Sequence, residues 1–358
     1  MSEPLLVAAM TISFVVTTGF VFALRPVARS VRLVDQPGGR KSHVGIVPIV
    51  GGIAMFCGLF AGLSLVAAEL PNLSSLFVAS ALLVAIGVVD DKYLVPAGVR
   101  MLIQLAAILI MVYGAGLALG TLGNPFALGE TRLGVLTLPM TVLVTLTVVN
   151  AYNLVDGVDG LAGALALIAL LALALVGGTA LTSSVIAMTL IAAVCGFLLF
   201  NFPTPFNRNV RTFMGDAGST FLGFLIVWVT LGLSQGEARA ISPVFCLWFA
   251  AVPIFDLFTC VVRRSMAGKS PFKPGRDHFH HTLKRGGMGV RQVVGTLTGL
   301  QLVYALAALA AFRLGVPEPV MFAAWAVLAA TQRMIICAIR RQHRIWIIGR
   351  KRSRSAHV

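Results

Sequence analysis

The stretch "LAGALALIALLALALVGGTALTSSVIAMTLIAAVCGFLLF", residues 161–200, contains no charged side chain and decides the fold. It holds two apolar runs, 161–178 and 182–200, joined by a short turn. Each run has close to the length of about twenty residues that an apolar helix needs to cross a bilayer. The strands of a membrane barrel would instead alternate apolar and polar residues. The stretch therefore predicts two consecutive transmembrane helices.

The same apolar character extends over the whole chain of 358 residues, which is 58% hydrophobic and 11% charged. A soluble domain carries about 25% charged residues. The apolar segments are 5–24, 49–68, 73–89, 101–121, 134–151, 161–178, 182–200, 220–234, 241–262, 293–312 and 317–339. The sequence thus predicts an all-α polytopic membrane protein with about eleven transmembrane helices. One integral-membrane domain covers 1–340, and a basic tail covers 341–358.

Lysine and arginine indicate the orientation, because they stay on the cytoplasmic side of short loops. If the loop 25–48 is cytoplasmic, 24 of the 28 lysines and arginines fall in cytoplasmic segments. This predicts a periplasmic N-terminus, a cytoplasmic C-terminus and a first segment that is a span rather than a secretory signal peptide. The net charge of +15 then indicates attraction to anionic membrane lipid, with no role in binding nucleic acid.

The acidic residues divide between the two faces more sharply than the basic ones. Under the same orientation all five glutamates are periplasmic, and all eight aspartates lie on or near the cytoplasmic face. Solvated loops give no reason for such a division. Short carboxylates gathered on one face indicate a metal or phosphate site.

The motif "NAYNLVDGVDGLAG", residues 150–163, joins the fifth and sixth apolar segments. It places four side chains with oxygen ligands three residues apart: Asn150, Asn153, Asp156 and Asp159. Gly157 and Gly160 predict a helix break between them. Mg²⁺ prefers oxygen ligands and leaves some positions to water and substrate phosphates. The motif predicts a magnesium site, with turn and cap chemistry as the simpler alternative.

Two further acidic motifs end or begin apolar segments on the same face. Asp90 and Asp91 end the third segment, where adjacent carboxylates repel unless a cation is near. The motif "RTFMGDAGSTFLGF", residues 211–224, places Asp216 at the start of the eighth segment, where free helix N–H groups favour an anion. The alternatives are a solvated helix end and an aspartate cap.

Two cytoplasmic loops supply basic donors. The motif "SPFKPGRDHFHHTLKR", residues 270–285, contains HxHH, a spacing that differs from a zinc site and suits a diphosphate clamp. The first loop adds Lys41 and His43. Carboxylates, oxygen ligands and basic clamps on one face together predict phosphoryl transfer at the inner membrane surface, with a lipid phosphate as acceptor.

These motifs resemble those of the polyprenyl-phosphate N-acetylhexosamine-1-phosphate transferase family, in the same order. The matching motifs are DxPxxRKxH at 35–43, DD at 90–91, NxxNxxDGxDGL at 150–161, FMGDAGS at 213–219 and HxHH at 278–281. The chain is most similar to the bacterial branch that joins N-acetylglucosamine to undecaprenyl phosphate. It is less similar to the muramyl-pentapeptide branch, whose last motif reads HHH.

The resemblance implies transfer of N-acetylglucosamine 1-phosphate from UDP-N-acetylglucosamine to undecaprenyl phosphate at the cytoplasmic face of the bacterial inner membrane. UMP is released, and the product begins a cell-surface polysaccharide such as O-antigen. Mg²⁺, or Mn²⁺ in its place, would be held by Asn153, Asp156 and Asp216. The implied catalytic residues are Asp90, Asp91, Asp156 and Asp159. The implied substrate contacts are Lys41, His43, Arg100, Asp159, Phe213, Arg276, His278, His280 and His281.

The sequence leaves three alternatives open. The first is the same reaction with another UDP-N-acetylhexosamine, and the second is a structural membrane scaffold. The third is an ion-coupled transporter, which would place acids in the middle of its spans. Only Asp256 has such a position. A homodimer is also left open.

Overall fold

The computed structural model describes residues 2–35, 45–178, 182–204, 212–268 and 278–355, with side chains as far as Arg340. The described helices are α1 (Glu3–Ser30), α2 (Gly51–Ser64), α3 (Leu73–Tyr93), α4 (Ala97–Leu109), α5 (Thr137–Val155), α6 (Leu161–Gly177), α7 (Thr182–Asn201), α8 (Gly215–Ser234), α9 (Pro243–Phe249), α10 (Ala251–Met266), α11 (Phe279–Arg285), α12 (Val290–Arg313) and α13 (Glu318–Ser355). Strands β1 (Val34–Asp35) and β2 (Val47–Pro48) form a short antiparallel pair.

Each predicted apolar segment coincides with a helix, or with the pair α9 and α10. Within the described ranges, eight helices are long and apolar enough to cross a membrane. The pair α9 and α10, bent by 84°, makes nine if it counts as one span, while α2 and α6 are apolar but shorter. The structure therefore confirms the class of all-α polytopic membrane protein. It does not confirm the count of eleven spans.

Helix α8 is buried along nearly its whole length and packs against α2, α3 and α5. Glycines bring these backbones close together. A Cβ atom at Gly87 on α3 would collide with the backbone of Ala217, and one at Gly52 on α2 with the backbone of Gly218. Because lipid gives helices no hydrophobic reason to associate, such small-residue contacts are the usual basis of close packing. They hold the first turn of α8 between α2 and α3.

The bend between α9 and α10 is stabilised by a buried side chain of α12. Gln301 accepts a hydrogen bond from the Val252 N–H at 3.0 Å. Its amide nitrogen donates to the carbonyl oxygens of Trp248 at 2.9 Å and Phe249 at 3.0 Å. Backbone groups freed by a bend inside a bilayer need such partners, because no water is available there. Gln301 thus supplies partners for three backbone groups at the bend.

The two ends of α8, about 30 Å apart for its 20 residues, carry different acids. Asp216 lies in its first turn. At the far end Glu130 pairs with Arg239 at 2.7 Å, and Glu318 accepts from the Asn124 N–H at 2.5 Å. The loop holding Glu130 is tied to the last turn through Gln235, whose side chain bonds the backbone of Thr121. These described acids therefore separate by type to the two ends of the bundle.

Candidate active site

A single arginine joins two carboxylates at the start of α8. Arg100, at the beginning of α4, donates from one guanidinium nitrogen to Asp90 at 2.6 Å and to Asp216 at 2.9 Å. Asp90 is buried at the end of α3 and also accepts the Val95 N–H at 2.6 Å. The consecutive helices α3 and α4 therefore meet the distant helix α8 through one ion-pair network. Arg100, predicted to bind the lipid phosphate, lies within reach of both acids.

Asp91 caps the first turn of α8. Its carboxylate accepts the N–H groups of Asp216 at 2.9 Å and Ala217 at 3.4 Å. The first N–H groups of a helix have no partner inside the helix and favour a negative charge. Gly215 has a φ of +73°, and a Cβ atom there would collide with the Asp91 carboxylate. The anion that the sequence predicts at this helix start is therefore the Asp91 carboxylate of α3.

Asn153 lies in the last turn of α5 and faces the same point. Its amide nitrogen donates to Asp216 at 2.8 Å and to the Ser219 hydroxyl at 3.1 Å. The amide oxygen is then the atom that Asn153 would offer to a cation. Asn150 lies one turn earlier and donates to the Leu146 carbonyl oxygen at 2.7 Å. It does not join the acidic group.

Asp156 directly follows α5 and is partly buried. Burial, and then the negative charges of Asp216, Asp91 and Asp159, raise the pKa of Asp156 well above its ordinary value. These four carboxylates are therefore close enough to repel one another, and Arg100 offsets part of their charge. Lowering such repulsion is what a bound cation does.

The donor set fits a magnesium ion held partly by substrate. Among the residues that the structure describes, no three acidic, histidine or cysteine side chains already form a ligand group. Mg²⁺ usually binds through one or two carboxylates plus substrate phosphates, so a complete protein cage is unnecessary. Asp216 and Asn153, fixed to each other, with Asp156 beside them, supply oxygens of the required kind.

The histidine motif lies against the turn that follows α5. A Cβ atom at Gly157 would stand 2.9 Å from the Nε2 atom of His280, so this ring occupies the space beside the turn. His281 lies 4.2 Å from His280 between ring centroids, and His278 lies 5.9 Å away. Burial, and then the neighbouring positive charges, lower the pKa of His280 to about 2. His280 is therefore neutral and would offer a phosphate one N–H rather than a positive charge.

The remaining predicted residues divide into two groups. Phe213 is half-buried just before α8, where its N–H bonds the Pro48 carbonyl oxygen at 2.9 Å and its own carbonyl oxygen accepts the Gly51 N–H at 3.0 Å. These bonds hold the backbone of Phe213 beside β2 and the start of α2, two residues before Gly215. Lys41, His43 and Arg276 lie outside the described residues.

Sequence reasoning missed two contributors. Ser219 stands within the FMGDAGS motif but had no predicted role, and it accepts from Asn153. Asp256 was treated only as an exception to the one-sided pattern, yet it accepts the Phe279 N–H at 2.8 Å. A lone acid within an apolar segment was the available signal for this contact.

Comparisons with known proteins agree on one family. Residues 73–234 match the model of glycosyl transferase family 4. The chain is 37% identical over 313 residues to the undecaprenyl-phosphate alpha-N-acetylglucosaminyl 1-phosphate transferase of Escherichia coli O157:H7, covering 86% of this chain and 84% of that protein. Proteins of the same name from Salmonella typhi and Yersinia pestis are 37% and 34% identical, covering 80% and 87% of this chain and 78% and 86% of their own.

Proposed function

From its relatives, the chain belongs to glycosyl transferase family 4, and we propose that it transfers N-acetylglucosamine 1-phosphate from UDP-N-acetylglucosamine to undecaprenyl phosphate. UMP is the second product. The observation that carries the proposal is the meeting of Asp90, Asp91, Asp216 and Asn153 at the start of α8, with Arg100 bridging two of the acids. A cell-surface polysaccharide such as O-antigen is the proposed destination of the lipid product.

Phosphoryl transfer depends mainly on positioning and on the stabilisation of negative charge. Arg100 is the cation that would exchange a carboxylate for the phosphate of the lipid acceptor. Asp90 is held by Arg100 and by the Val95 N–H, so its orientation is set before substrate arrives. From there it would orient the acceptor phosphate or accept its proton. A lipid phosphate is already largely ionised near neutral pH, so a strong base is unnecessary.

The UDP-sugar, which is the donor substrate, would be held by the metal ligands and by the histidine motif. Asn153, Asp156 and Asp216 would bind Mg²⁺, with Mn²⁺ as the alternative ion. When bound, the ion supplies positive charge that neutralises the diphosphate and the departing UMP. His280 would donate its N–H to the diphosphate, with His278 and His281 beside it. Phe213 would stack on uracil, and Asp159 would contact the nucleoside.

An apolar cavity supports a lipid acceptor. It has a volume of about 160 Å³ and is lined by α5, α8 and α9, and it extends from Val148 to Phe126 and Ser234 at the end of α8 opposite Asp216. Val148 precedes Asn153 by five residues on α5, which is about 8 Å along the helix axis. The cavity would therefore take part of the isoprenoid tail, well away from the phosphate at Arg100.

We place the site on the cytoplasmic face of the bacterial inner membrane, with the N-terminus periplasmic and the C-terminus cytoplasmic. The proposal counts α2, α6 and the bent pair as spans, which gives eleven. It is supported by the 24 of 28 basic residues that then lie on the cytoplasmic side. The basic tail 341–358 begins within α13, which continues to Ser355.

The test is release of UMP by the purified protein with undecaprenyl phosphate, UDP-N-acetylglucosamine and Mg²⁺. The lipid product is identified by mass spectrometry. A panel of UDP-N-acetylhexosamines then decides the sugar. If no UDP-N-acetylhexosamine yields UMP, the proposed function is rejected.

A further inference from the structure

Asp256 is a buried carboxylate in the middle of α10, with 2% of its surface exposed. One of its oxygens accepts the backbone N–H of Phe279 at 2.8 Å. The other lies 3.5 Å from the Nδ1 atom of His278, whose ring is also buried; neither of these two atoms has a hydrogen-bond partner in the described part of the chain, so each is the nearest polar group for the other. A single side chain of α10 therefore contacts both the backbone and a ring of the histidine motif.

Helix α11 depends on such contacts for its position. It has only seven residues, and helices this short are not stable in isolation. Its first N–H is held by Asp256, and Thr282 receives a hydrogen bond from Arg340 at 3.0 Å. The three histidines lie at the Asp256 end of this helix. Losing Asp256 would therefore release the part of α11 that faces Gly157.

A backbone cap alone does not account for a carboxylate at this position. Charged side chains within a membrane-spanning segment are costly and usually serve a function. A neutral side chain such as asparagine caps a helix about as well. Toward His278 the carboxylate favours the ring tautomer that carries its proton on Nδ1, the nitrogen facing α10. The Nε2 atom then remains for a ligand.

We propose that Asp256 is a positioning residue of this transferase, which holds His278 and the start of α11 in the orientation that binds the diphosphate of the UDP-sugar. The inference rests on the proposed function. Asp256 does not touch substrate and acts through His278. Its substitution should therefore weaken binding of the donor without altering binding of the lipid acceptor.

The experiment measures binding of UDP-N-acetylglucosamine by calorimetry, with Mg²⁺ present and the protein in lipid nanodiscs. Asp256→Ala removes the cap and the charge, and we expect Kd to rise about tenfold, the effect of losing a charge-assisted hydrogen bond. Asp256→Asn keeps an oxygen for the Phe279 N–H, and we expect a rise of about threefold. In a His278→Gln background, Asp256→Asn should add nothing, because the two residues act as one unit.

Ser242→Ala is the matched control, because it removes the side-chain cap of α9, which accepts the Val244 N–H at 3.4 Å. It should leave Kd unchanged. A purely structural role for Asp256 would lower the fraction of binding-competent protein but not Kd, and that result overturns the inference. So does an equal rise in Kd on the His278→Gln background. If Asp256→Ala does not fold, the asparagine variant alone decides. A wild-type protein that neither binds the donor nor releases UMP rejects the proposed function itself.

Discussion

Replacing Arg100 by glutamine should strengthen the binding of Mg²⁺ and weaken the binding of undecaprenyl phosphate. In the structure Arg100 forms an ion pair of 2.9 Å with Asp216, the carboxylate proposed to bind Mg²⁺. A charge-assisted pair of this length contributes about 1.5–3 kcal/mol when shielded from water. Both side chains are about one-third exposed, so solvent screening reduces the figure to about 1 kcal/mol. Freed of this competitor, Asp216 should bind Mg²⁺ about fivefold more tightly. The lipid phosphate, by contrast, loses its cation.

The assay is thermal unfolding of the purified protein over a series of Mg²⁺ concentrations, followed by the KM for undecaprenyl phosphate. Arg100→Gln should reach half of its Mg²⁺-induced rise in Tm at about one-fifth of the wild-type concentration. Its KM for undecaprenyl phosphate should rise about tenfold. Arg239→Gln is the matched control, because it breaks a pair of 2.7 Å with Glu130 at the opposite end of α8. An Arg100→Gln protein that needs as much Mg²⁺ as the wild type, or more, would refute the reasoning.

Three further outcomes are expected. Asp216→Asn should lower kcat by at least about a hundredfold while Tm in the absence of Mg²⁺ changes little; wild-type turnover would exclude a metal role. Gln301→Leu should lower the unfolding free energy by about 3 kcal/mol, because it strands three backbone groups at the α9–α10 bend, and unchanged resistance to denaturant would contradict this. The pKa of His280 is lowered to about 2 in the folded protein, so the unfolded chain binds the extra proton below pH 6.5 and stability falls by up to about 1.4 kcal/mol per pH unit. His280→Asn should lose less stability than the wild type between pH 7.5 and 5.5, and equal losses would refute the assignment.

The helices could be predicted from the sequence because a bilayer demands long apolar runs, and such runs are visible without knowledge of tertiary contacts. The bend between α9 and α10 could not. Residues 241–262 read as one continuous apolar segment. What stabilises their 84° bend is Gln301, about fifty residues later, and nothing in the local pattern reveals that partner. The predicted segment 49–68 is also longer than α2, which ends at Ser64.

The sequence predicted that the acids share one membrane face and meet in one pocket, but it did not predict their individual contacts. That Asp90 and Asp216 share one arginine depends on the packing of α3 and α4 beside α8, and spacing along the chain carries no information about it. The motif at the start of α8 was read as a place for a phosphate. Asp91 fills it instead, because α3 approaches so closely that its carboxylate reaches the free N–H groups first. The neutrality of His280 was likewise hidden, since it follows from burial.

The close approach of the α2 and α3 backbones to Ala217 and Gly218 has an electrostatic consequence. Carboxylates on flexible loops relieve their mutual repulsion by moving apart. Asp91 and Asp216 stand on helices that already touch backbone to backbone, so their separation is as rigid as the helix core. Backbone N–H groups and Asn153 already donate to them, and Arg100 offsets part of their charge, so a proton or an arriving cation is needed to reduce the rest. For the proposed Mg²⁺ site, this means that the carboxylates would not have to rearrange before the ion binds.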